Sequence, residues 1–400
     1  MSNDGLTLYD AVPYPARELA QAHPGRLAAI ARLFGVQAAM PSHCRLLEVG
    51  CSDGGNLIAM AQALPDARFV GIDTSTTAIA AARAASAGIE NVTFEELSLA
   101  DYDPPRSSFD YVVAHGVYSW VPEDVRDALL ELCERALAEH GVAYVSYNTL
   151  PGGVMREVVR EILLRHVGRI EDPAQQMAAA RQLLGLLRVA WSYDPELSTL
   201  VSIATRMAES GDALLFHDTL SPENARVEFA DFAAHAGAHR LQFLAEANFW
   251  EMQVGWLPAE LRGVVTQIPD RLQREQLIDE LRMRTFRQTL LCHAALQVDE
   301  PRPEPVASLW VSTQARSEAA GEPGAVTFTG ANGATLTTAE PLVVDALQRL
   351  VAASGASVAV ASLWPPDAPA EDRDAICMAL LRCYAGALVD LHAEPATAGG

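Results

Sequence analysis

A glycine-rich turn directly follows a hydrophobic run near the start of the chain, within residues 46–56. The run carries the acid Glu48 near its end, and Gly50 and Gly54 follow in the turn. Glycines let a backbone pass close to a bound nucleotide-like ligand, for which the carboxyl edge of a sheet supplies the crevice. The next hydrophobic run ends at Asp73, 25 residues after Glu48. Since an acid about 20 residues away binds ribose hydroxyls, the pair predicts a ligand that contains a ribose.

Two ligands fit this pattern, a dinucleotide and S-adenosylmethionine. Dinucleotide-binding loops follow the pattern GxGxxG, whereas the glycines of this loop stand at positions 50, 54 and 55. Dehydrogenases normally carry an apolar residue where Glu48 stands. S-adenosylmethionine also lacks the pyrophosphate that such a loop binds. These three points favour S-adenosylmethionine, with NAD(H) as the alternative.

Short apolar runs alternate with amphipathic stretches between residues 45 and 149, as in a doubly wound α/β sheet. The runs predict five strands, at residues 45–49, 68–73, 92–95, 109–114 and 142–148. Helices are predicted near residues 24–34, 54–64, 75–87, 123–138 and 153–167. Because such a sheet binds its ligand at the carboxyl ends of the strands, the glycine turn and Asp73 are expected to meet there.

The length of 400 residues predicts more than one domain. Residues 1–170 are expected to form the Rossmann-like domain. Residues 171–300 are predicted to be helical almost throughout, for example at 175–189 and 271–296. A proline-rich linker at 301–305 opens the last segment, 301–400, which is expected to be a small α+β domain that resembles a winged helix. In it we predict a hairpin of strands 326–329 and 335–337 around an Asn-Gly turn, helices at 341–353 and 372–384, and a short apolar run at 387–391.

The composition limits the partners that the chain can have. A formal charge of −22 repels phosphate backbones, so no nucleic acid partner is expected. No apolar run reaches the roughly 18 residues of a membrane span, and the first residues lack the features of a secretory signal. The six cysteines form no CxxC pair and have no histidine at zinc spacing, which predicts buried thiols and no metal site. We therefore expect a cytoplasmic protein without a membrane partner. All 29 basic residues are arginine, so the chain has no lysine side chain of its own.

The stretch at residues 46–56 resembles motif I of the class I methyltransferases, and Asp73 resembles their motif II acid. Residues 91–94 are similar to the strand before motif III, and residues 109–114 to motif IV. Ser52 departs from the family at the middle glycine of motif I, and Ser98 at a position where many relatives carry an adenine-contacting aspartate. The resemblance implies S-adenosylmethionine as the cofactor. It implies a donor site formed by Glu48, Gly50, Cys51, Ser52, Gly54, Asn56, Asp73, Thr74, Ser98, Leu99 and His115.

A narrower resemblance is carried by residues 115–122 and 145–152. They are similar to the bacterial methyltransferases that have a methyltransferase regulatory domain, a group that includes the rickettsial protein lysine methyltransferases. Residues 217–220 and 243–247 resemble that regulatory domain, and residues 284–290 resemble its closing helix. The resemblance covers nearly the whole chain and implies that the helical domain covers the acceptor site.

The acceptor is expected over the carboxyl edge of the sheet, next to the donor. His115 is the candidate general base, with contact to the donor as its alternative role. Tyr118 and Tyr147 are further catalytic candidates, because an aromatic ring attracts a cationic amine or a sulfonium. The alternative is that one or more of the aromatic residues here is a packing residue at a strand end. The substrate candidates are Trp120, Asn148, His217 and Asp218. For His217 and Asp218 the alternative is a buried histidine and a helix cap.

These features predict an enzyme that moves a methyl group from S-adenosylmethionine to a nucleophile by in-line displacement. The main task of the protein is then to align the reacting atoms and to exclude water. The acceptor is either a lysine amine of a protein or a small molecule methylated on oxygen, nitrogen or carbon. The alternative of another class is a non-catalytic protein that binds S-adenosylmethionine or S-adenosylhomocysteine, for which Ser52 and Ser98 are the reason. The oligomeric state is left open.

Overall fold

One mixed sheet forms the centre of the molecule in the computed structural model, which describes residues 12, 14 and 18–396. Its main strand order is β3-β2-β1-β4-β5-β8-β7. Strands β1 to β5 are parallel to one another, whereas β8 runs antiparallel to both β5 and β7. The bounds are β1 (Arg45–Val49), β2 (Arg68–Asp73), β3 (Val92–Glu96), β4 (Phe109–Ala114), β5 (Leu137–Thr149), β7 (Leu241–Glu246) and β8 (Phe286–His293). A short β6 (Arg226–Val227) pairs with the end of β5. The doubly wound α/β class and the first five strands are confirmed.

Helices cover both faces of the parallel half of the sheet, because strand residues alternate between its two sides. Leu46 and Tyr144 belong to one apolar cluster together with residues of the first helix, whereas Leu47 and Val145 belong to a second cluster with residues of the helix before β5. The helices of this half are α1 (Pro24–Leu33), α2 (Gly55–Ala63), α3 (Thr76–Ala85), α4 (Glu123–Ala136) and α5 (Gly153–Val167). They agree with the predicted helices to within a few residues.

The segment 171–300 is not helical throughout, which corrects the sequence prediction. It forms α6 (Pro173–Trp191), α7 (Ser198–Glu209), α8 (Asp212–Thr219), α9 (Phe229–Ala238), α10 (Ala259–Thr266) and α11 (Arg271–Arg282). It also supplies β7 and β8 to the central sheet. The helix predicted over 271–296 ends at Arg282, and residues 284–290 belong to a turn and a strand, so their assignment to a closing helix is wrong. The apolar run of β8 is buried on both faces and therefore lacks the alternation that identifies a strand.

A buried arginine holds β8 in place. The Arg287 guanidinium is fully buried and binds the carboxylates of Glu246 at 2.6 Å, Asp279 at 2.7 Å and Glu275 at 3.0 Å. These acids lie on β7 and α11, so the ion cluster ties β8 to both neighbours. Buried charges of this kind persist only when they are paired and hydrogen-bonded.

Residues 301–396 form a small α+β unit, as predicted. Its elements are β9 (Trp310–Ser312), β10 (Arg316–Ala319), β11 (Val326–Thr329), β12 (Thr335–Thr338), α12 (Pro341–Ala352), β13 (Val358–Ala359), α13 (Ala370–Ala385) and β14 (Asp390–His392). The predicted hairpin is the antiparallel pair β11–β12. Tyr384 of this unit stacks on Phe249 at 5.0 Å, and Asp390 pairs with Arg26 at 3.2 Å.

All six cysteines are free and buried, as expected from their spacing.

Among the described residues, every helix is too short or too polar to span a bilayer.

Candidate active site

A cavity of about 890 Å³ lies at the carboxyl edge of β1, β2 and β4. Pockets of about 300–1,000 Å³ are the size that encloses a small organic ligand. Most of the residues predicted from the sequence line this cavity, namely Gly50, Ser52, Asp73, Thr74, Ser98, Leu99, His115, Trp120, Asn148, His217 and Asp218. The sheet therefore brings the predicted donor and acceptor residues into one space.

The glycine turn after β1 takes the left-handed conformation that glycines permit. Gly50 has φ 72° and Gly54 has φ 76°. A Cβ atom at Gly54 would lie 2.5 Å from the Phe94 ring, so no larger residue fits there. Ser52 also has a positive φ, 50°, which is the conformation that the middle glycine of motif I would adopt without strain. The departure at Ser52 therefore keeps the shape of the turn.

Asp73, at the end of β2, binds the turn directly. One carboxylate oxygen accepts the Ser52 backbone N–H at 2.9 Å, and the other accepts the Ser75 N–H at 2.9 Å. A carboxylate has about four acceptor positions, so two remain for hydroxyl donors in the cavity. The open glycine turn and this carboxylate together fit the ribose of S-adenosylmethionine.

Four of the predicted donor residues, Glu48, Cys51, Gly54 and Asn56, support the turn and are not part of the described cavity wall. The buried Glu48 side chain accepts the Asn56 side-chain N–H at 3.0 Å, and Asn56 in turn accepts the Leu19 backbone N–H at 2.9 Å. Burial raises the pKa of Glu48 to about 8, because the ionised carboxyl is poorly solvated there. At neutral pH Glu48, the acid of motif I, is therefore largely protonated. Its hydrogen bond with Asn56 connects the loop to Leu19.

The residues after β3 form the opposite wall of the donor part of the cavity. Ser98 and Leu99 line it, and the Ser98 hydroxyl accepts the Ala100 backbone N–H at 3.3 Å. Asp101, the acidic residue nearest in sequence, is exposed and lies outside the described cavity wall.

His115 follows β4 and lines the cavity while remaining neutral. Its Nδ1 atom is 2.9 Å from the Tyr144 hydroxyl, and its ring lies edge-on to Phe286. Desolvation lowers the pKa of His115 to about 4. A neutral imidazole suits hydrogen bonding to a ligand, but it is a weak base.

Tyr118 and Tyr147 were expected to face the cavity, but both rings are buried and neither is part of the described cavity wall. Tyr147 stacks on Phe232 at 4.0 Å, and its hydroxyl lies 3.1 Å from that of Thr289. The Tyr118 hydroxyl lies 2.8 Å from Nδ1 of His235. Of the three aromatic candidates, the structure brings only Trp120 to the described cavity wall.

Val12 and Tyr14 contact His217 of α8 beside the cavity. Nε2 of His217 donates to the Val12 carbonyl oxygen at 2.6 Å, and the Tyr14 ring packs edge-on against the imidazole. His217 is therefore buried and engaged with Val12 and Tyr14, although it also lines the cavity. Asn148 donates through its side chain to Asn224 at 2.9 Å.

Charged residues of the outer wall were not predicted from the sequence. Arg156 and Glu157 of α5, Arg206 of α7 and Arg226 of β6 line the cavity next to Asp218. Glu157 pairs with Arg226 at 2.5 Å. Arg156 and Glu157 lie in the first turns of the helix that follows β5, and this helix starts at the carboxyl edge of the sheet. That position in the sequence could have identified both as cavity residues. The positions of Arg206 and Arg226 follow from how α7 and β6 pack against the rest of the molecule, which no local sequence pattern predicts.

Two family models match the chain. The family described as "Methyltransferase domain" matches residues 47–143, and "Predicted methyltransferase regulatory domain" matches residues 211–293. The first match contains the glycine turn, and the second contains part of the outer wall.

Similar proteins come from several bacteria. An uncharacterized protein of Rickettsia prowazekii is 37% identical over 295 residues, which is 73% of this chain but 53% of the relative, so the chain spans about half of that protein. A second uncharacterized protein of the same organism is 32% identical over 232 residues, or 57% of this chain and 93% of the relative. A trans-aconitate 2-methyltransferase of Afipia carboxidovorans is 28% identical over 168 residues, covering 42% of this chain and 56% of the enzyme.

Solved structures of PKMT2 from Rickettsia typhi share the fold of the whole chain. The structure in complex with AdoHcy has a TM-score of 0.82 at 24% identity and covers 96% of this chain and 78% of PKMT2. A second structure of PKMT2 gives the same TM-score and coverage at 25% identity. Together with the glycine turn and Asp73, these findings place the chain among the class I S-adenosylmethionine-dependent methyltransferases that carry a methyltransferase regulatory domain.

Proposed function

We propose that this methyltransferase transfers the methyl group to the side-chain amine of a lysine in a protein substrate. The sequence resembles the rickettsial protein lysine methyltransferases at residues 115–122 and 145–152, and the whole-chain fold likeness to PKMT2 includes the segment that builds the outer wall. The observation that carries the proposal is the Asp218 carboxylate of that segment, which lines the same cavity as Trp120 and His115.

On the donor side, bound S-adenosylmethionine supplies a methyl group on a positively charged sulfur. Asp73 accepts hydrogen bonds from the ribose hydroxyls, and the backbone of Gly50 to Ser52 passes beside the donor. Ser98 and Leu99 contact the adenine. This assignment is supported by the position of Gly50, Ser52, Asp73, Ser98 and Leu99 in the cavity wall.

On the acceptor side, an entering ammonium group meets charges and rings that attract it. Asp218 offers a negative charge and Trp120 a π-face. His115 adds no repulsion because its pKa of about 4 keeps it neutral. The same low pKa makes His115 too weak a base for a lysine, whose pKa is about 10.4. The amine therefore loses its proton to water before transfer, and the protein contributes alignment and exclusion of water.

A small acceptor with a carboxylate is the second candidate. Arg156, Arg206 and Arg226 line the cavity, and the Glu157 carboxylate, which lies 2.5 Å from Arg226, is shared with Arg160 at 2.9 Å. Guanidinium groups bind carboxylates through two parallel hydrogen bonds. The similarity to trans-aconitate 2-methyltransferases agrees with this reading, although it covers 42% of the chain.

The test is transfer of radiolabelled methyl from S-adenosylmethionine into a bacterial lysate, followed by separation of protein from small molecules. We expect label in protein and, after acid hydrolysis, in methylated lysine. Because the enzyme contains no lysine, none of that label comes from its own side chains. Label confined to small molecules would overturn the lysine proposal in favour of the second candidate. Absence of label from both fractions, with S-adenosylhomocysteine bound, would contradict both.

Matched variants then identify which charge the acceptor meets. For a lysine acceptor we expect Asp218→Asn to lower kcat/KM about tenfold or more, the effect of losing one charge-assisted hydrogen bond. Arg206→Gln should leave it unchanged or raise it. For a carboxylate acceptor we expect the opposite: Arg206→Gln lowers kcat/KM, and Asp218→Asn leaves it unchanged or raises it. Glu209→Gln and Arg188→Gln are the controls, since both residues are exposed and lie outside the described cavity wall.

A further inference from the structure

We infer that Asp127, His235 and His239 form a binding site for a divalent transition-metal ion such as Zn²⁺, outside the methyl-transfer cavity. His235 and His239 are four residues apart at the end of α9, and Asp127 lies on α4. Their ligand atoms all lie within 4.8 Å of one another. Cysteine spacing gives no indication of such a site, but two histidines one helical turn apart are a common zinc-binding pair.

The geometry is close to what a metal requires. One Asp127 oxygen lies 2.8 Å from Nε2 of His239 and 3.3 Å from Nε2 of His235. Ligands of a tetrahedral zinc with bonds of about 2.0–2.1 Å are about 3.3 Å apart, so small side-chain rotations suffice. Water supplies the fourth position.

The surroundings of the three ligands also favour a cation. The Tyr118 hydroxyl lies 2.8 Å from Nδ1 of His235 and orients the ring, as partners of metal-binding histidines do. The two histidines stand at the C-terminal end of α9, where the helix dipole is negative. Two of the nearby cations are paired with acids, Arg240 with Glu134 at 2.6 Å and Arg135 with Asp103, whereas the Arg126 guanidinium lies over the Tyr118 ring at 5.8 Å.

A metal at this position joins the two halves of the enzyme. Asp127 belongs to the segment that matches the methyltransferase domain, whereas His235 and His239 belong to the segment that matches the regulatory domain. Metal binding through Nε2 leaves the proton of His235 on Nδ1, which then donates to the Tyr118 oxygen. The ion therefore fixes both the α4–α9 contact and the turn that carries Tyr118 and Trp120.

Calorimetric titration of the full, metal-stripped chain with Zn²⁺ alone, after removal of any histidine tag, tests the inference. We expect one equivalent bound with a Kd in the micromolar range or tighter, and a melting temperature that rises with Zn²⁺ concentration because the ion binds the folded state. The Co²⁺ form should give the visible d–d bands of a four-coordinate ion with nitrogen ligands.

Variants locate the ion. His239→Gln and Asp127→Asn should each weaken Zn²⁺ binding more than tenfold, and Tyr118→Phe about tenfold, the usual loss for an orienting partner. His166→Gln, a histidine outside the cluster, is the control and should bind like the original chain. Affinity for S-adenosylhomocysteine reports whether each variant is folded. Absence of stoichiometric binding, or binding that persists in a folded His235→Gln/His239→Gln variant, would overturn the site.

Discussion

Replacing Asp73 by alanine is expected to weaken donor binding by about 1.5–3 kcal/mol, the value of a hydrogen bond to a charged group. Since about 1.4 kcal/mol is tenfold in affinity, this corresponds to roughly a 10- to 150-fold rise in the Kd for S-adenosylhomocysteine. The substitution also removes the hydrogen bonds that hold the glycine turn, because the same carboxylate accepts the backbone N–H groups of Ser52 and Ser75. Asp73→Asn keeps one acceptor oxygen, so its Kd for S-adenosylhomocysteine is expected to lie between those of the original chain and Asp73→Ala.

Isothermal titration calorimetry with S-adenosylhomocysteine measures this loss, and circular dichroism checks that each variant is folded. Glu96→Ala is the matched control, since Glu96 lies opposite Asp73 on β3, carries the same charge and is not part of the described cavity wall. An Asp73→Ala protein that binds within twofold of the original chain would refute the ribose assignment. NADH in the same titration should give no heat, and binding of NADH would favour the dinucleotide alternative.

Three further predictions concern the loop and the two buried groups beside it. Ser52→Gly is expected to raise the free energy of unfolding by about 0.5–1 kcal/mol in urea titrations, because a serine at φ 50° is strained. Glu48 keeps its proton in the native state up to pH about 8, so its contribution to the free energy of unfolding is lost as the pH rises from about 4.5 to 8. Glu48→Gln should remove this decline of stability with pH. An unchanged decline would contradict the burial of Glu48. His115, with a pKa of about 4, contributes stability above pH 6.5 that is lost as the pH falls towards 4, and NMR of labelled histidine should find its ring neutral at pH 5.5.

The parallel half of the fold was predictable from the sequence because its strands are short, apolar and separated by amphipathic helices. The antiparallel half was not. Residues 289–292 are buried on both faces of β8, and Arg287 places a charge just before them, which in a sequence indicates an exposed position. Only the acids on β7 and α11 make that arginine a core residue, and these partners lie 8 to 41 positions away.

The donor side of the site was predictable for a related reason. Residues that directly follow parallel strands meet at one edge, so Gly50, Asp73 and His115 needed no knowledge of packing. The tyrosines show the limit of that rule. Successive strand residues point to opposite faces, so Tyr147 and Asn148 cannot both reach the cavity, and the structure gives that position to Asn148.

The acceptor side depends on charges that the regulatory segment and its neighbouring helices bring together. Glu157 pairs with both Arg226 and Arg160, and Asp218 interacts electrostatically with Arg156, so acids and arginines alternate along the outer wall. One substitution in this cluster changes the net charge that an acceptor meets. The donor loop, by contrast, is fixed by backbone hydrogen bonds within a single βαβ unit. Related enzymes with the same donor loop can therefore differ in acceptor through a few residues of the outer wall, and the acceptor of this one has to be sought there.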